Sequence, residues 1–140
     1  MSPNRCLSRL ALLTTLLCGS VASSSAQQFV NNWNTDACGL TDSATINVTQ
    51  PVHLNRLELW YQWQSNESSV GYVVSFNGQQ IGSGTLTRAD CDPYQAAWCV
   101  AKDAPGTDLS MGTYTFRVAQ PRVCQNAVSA GQGFIRAYSD

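Results

Sequence analysis

Histidine is nearly missing from this chain: His53 stands alone. No C-x-x-C occurs either, so the residues of an ordinary zinc site are not assembled. Lysine is as rare, with Lys102 the only one. No cluster of basic residues forms, which leaves nucleic-acid or anionic-membrane binding without an electrostatic basis. Long apolar runs are absent as well. The longest, Leu10 to Cys18 (LALLTTLLC), falls well short of the roughly 18 residues a membrane span needs. Good helix formers never accumulate at a period of 3.6, so no amphipathic helix is expected.

What is present begins with an address. Arg5 and Arg9 precede the apolar run, and Gly19 to Ala26 (GSVASSSA) follows it. Ser24 and Ala26 occupy the small-residue positions of a cleavage site, so residues 1–26 read as a secretory signal peptide. Acylation of Cys18 is the alternative, but Leu17 before it is large for that role. Residues 27–140 then read as a single domain. Without Arg5 and Arg9 the 8 basic residues become 6 against 9 acidic ones, a net charge of −3. Secretion or periplasmic export is the expected localisation.

Four cysteines remain after the signal segment: Cys38, Cys91, Cys99 and Cys124. An even number in an exported domain reads as two disulfides. Of three possible connectivities, Cys91–Cys99 with Cys38–Cys124 is favoured by spacing. One pair closes a short loop, and the other joins the start of the domain to its end. Loop-closure entropy assigns them roughly 2.5 and roughly 4.5 kcal/mol.

The dominant period is two. Ala44, Ile46 and Val48 alternate with polar residues, as do Tyr114, Phe116 and Val118. Leu57, Leu59, Tyr61 and Trp63 form a third series, and Val70, Tyr72, Val74 and Phe76 a fourth. Each predicts a strand with one buried face. Asn77-Gly78 predicts a type I′ hairpin turn. Ser65 to Ser69, Ala104 to Thr107, Met111-Gly112 and Gly131 to Gly133 supply further turns, the last before a strand at Phe134 to Tyr138. The fold class expected is all-β: a single antiparallel β-sandwich, jelly-roll or Ig-like in architecture, stapled by disulfides. The segment Leu109 to Val118 resembles a recurring element of secreted β-sandwich modules, in which an apolar residue and a Gly lead into a strand with an inward Tyr. That resemblance covers about ten residues and implies the fold alone.

Candidate contact residues are aromatic. Trp60 falls on the polar face of its strand, among Arg56, Glu58, Gln62 and Gln64. There it is either a stacking platform or a side chain covered by a loop. The segment Cys91 to Cys99 carries Asp92, Pro93, Tyr94 and Trp98. A disulfide and a Pro would pre-order Tyr94 and Trp98 for contact, with Asp92 accepting hydrogen bonds. The competing reading packs Trp98 against the disulfide as a plug.

Other chemistry is sparse. Asp90, Asp92, Asp103 and Asp108 prompt a calcium check, but no contiguous calcium loop is present, and no cofactor or metal is expected. His53 lacks a nucleophile elbow around it, and reads as a surface or edge residue. Glu58 with Glu67, or Asp90 with Asp92, would have to serve as the carboxylate pair of a glycosidase, with too few carboxylates to make the pairing informative. No catalytic residue is assigned, and an enzyme is not expected. Asn47-Val48-Thr49 and Asn66-Glu67-Ser68 match the glycosylation pattern.

Two functions remain. One is a secreted binding module that recognises carbohydrate or another extracellular surface through Trp60, Asp92, Tyr94 and Trp98. The other is a secreted structural or protein-interaction domain, an accessory subunit or inhibitor, that meets an extracellular protein.

Overall fold

The computed structural model describes residues 26–139. The signal segment, apart from Ala26, lies outside the described residues. Twelve strands follow one another. They are β1 (Gln27–Asn31), β2 (Gly39–Thr41), β3 (Ser43–Val48), β4 (Val52–Leu54), β5 (Arg56–Gln62) and β6 (Ser69–Phe76). The second half holds β7 (Gln79–Cys91), β8 (Trp98–Asp103), β9 (Thr107–Leu109), β10 (Gly112–Val118), β11 (Val123–Gln125) and β12 (Ile135–Ser139). No helix occurs among the described residues, and so none that could cross a membrane.

One antiparallel sheet runs in the order β1-β12-β5-β8-β7-β6-β10-β3, with β11 joining β2 to β5. It curls so strongly that its far strand returns to the starting side. Gly133 N–H, just before β12, donates to the Ser43 carbonyl at the start of β3 at 3.1 Å. A side chain at position 133 would strike that carbonyl as well as Ala44 and Val123, so only glycine permits the closure. The result is a nearly barrel-like β-sandwich. A separate ribbon, β4 with β9, adds Leu54 and Leu109 to the core.

The alternating residues point inward as their period requires. Ala44 and Ile46 of β3, Leu57, Leu59 and Tyr61 of β5, and Phe116 of β10 are all fully buried in one core. Trp63 extends this series past the end of β5. Its ring meets Tyr61 edge-on, and its Nε1 donates to the Cys99 carbonyl at 3.2 Å. Asn77 and Gly78 have φ of 48° and 86°, both positive, as the type I′ turn between β6 and β7 demands.

Both disulfides form as the spacing predicts, Cys38–Cys124 and Cys91–Cys99. The first ties the segment before β2 to β11. The second bridges paired residues of β7 and β8 beside a bulge at Asp90, whose φ is 43°. Two such bonds fit an oxidising compartment.

Candidate functional site

Trp60 lies on the outer face of β5, opposite Leu59 and Tyr61 in the core. On the neighbouring strand, Trp98 opens β8 on the same face. Their ring centroids are 6.2 Å apart and their planes differ by 16°, within the range of offset stacking. A third indole, Trp33, approaches from the segment after β1, its centroid 5.5 Å from that of Trp60. The three rings form a continuous row along one wall of a cleft of about 620 Å³. Asn34, Asp36, Asp92 and Gln95 supply polar groups around it. Each of the three tryptophans is half-buried, neither core nor free in solvent.

Trp33 was not singled out from the sequence, and its place depends on ties across the whole chain. Asn34 and Asn126 exchange side-chain hydrogen bonds of 3.1 and 2.7 Å. The Asn32 side chain accepts from Ile135 N–H at 2.7 Å and donates to the Gly133 carbonyl at 2.9 Å. The Cys38–Cys124 bond anchors the other end of the segment. On one side of the indole lies the Arg136 guanidinium, 3.5 Å from the ring centroid. Arg136 is itself held by Glu58, Nη2 to Oε2 at 3.0 Å, and Arg56 binds the other carboxylate oxygen at 3.1 Å. Glu58 is 7% exposed and faces Arg136 on one neighbouring strand and Lys102 on the other. This carboxylate therefore positions the cation on which Trp33 rests.

The stapled loop is fixed from within and without. Asp92 Oδ1 accepts from the backbone N–H groups of Tyr94 and Gln95 at 2.7 and 3.0 Å. This leaves Oδ2 as the oxygen of Asp92 with capacity for a ligand. Arg88 reaches from β7 to the Ala96 carbonyl at 2.7 Å and to the carbonyls of Gln64 and Glu67 at 3.3 Å. It clasps the loop to the turn between β5 and β6.

Of the residues read from sequence, Trp60, Trp98 and Asp92 meet at the cleft. Tyr94 does not join them; it stands 94% exposed at the loop tip. The plug position proposed for Trp98 belongs to Trp63, which is buried beside Cys99, while Trp98 faces outward because it is one residue out of phase with Cys99. Three of the four acidic candidates for calcium have separate engagements. Asp103 accepts from Tyr72, Asp108 meets His53 at 2.7 Å, and Asp92 holds its own loop. No group of three or more metal-ligating residues occurs among the described residues. His53 is on the β4–β9 ribbon, not among the residues lining the Trp cleft. Asn66 is exposed in its turn, and Asn47 is exposed on the outer face of β3, accepting from Thr113.

No protein-family model, curated protein or solved structure matches the chain.

Proposed function

We propose that this chain is an exported, non-catalytic binding module that takes a neutral carbohydrate on the cleft of Trp33, Trp60 and Trp98. The observation that carries this reading is the row of three indoles with amide and carboxylate side chains beside it. Sugar rings present C–H faces that stack on aromatics and hydroxyls that hydrogen-bond at their edges. The charged residues lining the cleft, Asp36 and Asp92, are both negative, which disfavours polyanionic glycans. Anchoring by a disulfide, an amide pair and a salt bridge pre-orders the cleft and lowers the entropic cost of binding. The signal-like segment and the two disulfides support export.

Intrinsic tryptophan fluorescence tests it. Neutral oligosaccharides and soluble polysaccharides are titrated into the oxidised protein. A saturable shift is expected, lost in Trp60→Ala and in Trp33→Ala variants whose circular dichroism is unchanged. Silence across a broad panel sinks the reading. Tyr94, the most exposed aromatic, favours the second one: a protein-interaction domain docking through the stapled loop. In that case a specific protein co-purifies, and Tyr94→Ala rather than Trp60→Ala releases it.

A further inference from the structure

The inner face of β7 is left open at one position near the hairpin. Leu86 is in the core, and the next two inward positions toward the hairpin are Gly84 and Gly82. Glycine at 84 has a reason, because a Cβ there would collide with the Tyr72 ring. Glycine at 82 has no such reason. A Cβ there would meet nothing within 4 Å, and its φ is not in the left-handed region. The space is left open, and a second cleft of about 540 Å³ occupies this end of the sandwich. It runs between the β6–β7 hairpin and the segment leading into β9, remote in the fold from the tryptophan row.

Its walls are of two kinds. Val74 and the 58% exposed Ile81 present apolar surface to it, above the buried Leu109 and Phe116 of the core. The charged residues lining it are Asp103 and Asp108, with no Lys or Arg among them. Asp103 is held in place: Oδ2 accepts from Tyr72 Oη at 2.6 Å, and Oδ1 from Ala104 N–H at 2.8 Å. Asp108 meets the His53 ring at 2.7 Å, so Asp103 is the carboxylate without a basic partner in the cleft. A cleft of this size at the mouth of a curled sheet, part apolar and part polar with a fixed carboxylate, can take a small molecule.

We infer that this cleft is a second binding site, for a small organic cation with an apolar body. The body fills the space above Gly82 against Val74 and Ile81, and the ammonium group pairs with Asp103. Anions are repelled by the two carboxylates. Neutral apolar molecules fill the space and forgo a charge-assisted hydrogen bond, which is worth about tenfold or more in affinity.

The test is an amide-resolved NMR titration of the oxidised protein with hexylammonium, hexan-1-ol and hexanoate. Hexylammonium is expected to give saturable shifts confined to residues 81–85 and 103–109. Hexan-1-ol should bind there about tenfold more weakly, and hexanoate not at all. A Cβ at position 82 meets nothing within 4 Å, so Gly82→Leu should extend into the open space and abolish the shifts while leaving thermal unfolding in place. Asp103→Asn should lower hexylammonium affinity to that of hexan-1-ol. Since that change also touches Tyr72, Ile81→Ser at the exposed rim serves as the variant that spares the core, and should weaken both ligands. Equal affinity for hexylammonium and hexan-1-ol would overturn the inference. So would shifts that survive Gly82→Leu, or shifts that map to Trp33, Trp60 and Trp98.

Discussion

The Tyr72 hydroxyl donates a 2.6 Å hydrogen bond to Asp103 Oδ2 across an intervening strand. Tyr72 belongs to β6 and Asp103 to β8, so the phenol ring must pass over β7. It does so at Gly84, its partner in register, where the missing Cβ leaves room. One side chain thereby ties three strands together at the end of the sandwich where the second cleft opens.

That arrangement sets an alkaline limit on stability. Burial pushes the Tyr72 hydroxyl well above the ordinary tyrosine value of about 10, with the Asp103 hydrogen bond and the Asp103 charge adding to the shift. Tyr61 is raised too, by burial first and then by Glu67, with Arg122 opposing. A phenol harder to ionise when folded contributes stability that is fully present below its unfolded pKa. Above about pH 10 the unfolded chain releases the Tyr72 proton and the folded one does not, so stability falls by about 1.4 kcal/mol per pH unit from Tyr72, with Tyr61 acting in the same direction. Denaturant unfolding between pH 8 and 11 should show this slope, and Tyr72→Phe should make it shallower. An unchanged slope in that variant would contradict the account.

The glycines of β7 are expected to differ. Gly84→Ala forces the Tyr72 ring to move or the strands to part, at a cost of about 1–3 kcal/mol. Gly82→Ala meets open space and should be neutral, or stabilise by up to about 1 kcal/mol through the unfolded chain. Thermal melts of the two variants decide it, and equal melting temperatures would remove the distinction.

Glu58 should govern the tryptophan row from beneath. Glu58→Gln leaves Arg56, Arg136 and Lys102 on adjacent positions without their central anion. The arginines are partly exposed, so the expected destabilisation is about 1–3 kcal/mol, below that of a fully buried pair. With Arg136 loosened, Trp33 loses its support. Its emission should shift to the red and its acrylamide quenching should rise, and Trp33→Phe in the same background should abolish both changes. Unaltered fluorescence in Glu58→Gln would mean that the 32–38 segment is held by its disulfide and asparagine pair alone.

Legibility in the sequence follows the inward side chains. β3, β5, β6 and β10 were readable because each places an apolar residue at every second position. Most of β7 was not, since Gly82 and Gly84 hold inward positions without a side chain to mark them. β8 was hidden for the opposite reason. Trp98 and Val100 are apolar on its outer face while Cys99 and Ala101 fill the inner one, so alternation disappears. The stapled segment therefore read as a loop, although its second cysteine lies inside a strand.

Period-two patterning, turn chemistry and the cysteine count are local properties, and by themselves they determined the class of fold, the faces of four strands, the Asn77-Gly78 turn and the disulfide pairs. They also placed Trp60 on the outer face of β5, because a residue between two inward side chains has nowhere else to point. Which strands lie side by side is not local. Only the pairing of β5 with β8 brings Trp98 beside Trp60, and only contacts between residues 32–38 and residues 124–136 carry Trp33 to them. The second cleft likewise exists because Gly82, Val74, Phe116 and Asp103, from four different strands, converge at one end. No short stretch of chain encodes that convergence, since each residue's own pattern is satisfied wherever its strand is paired.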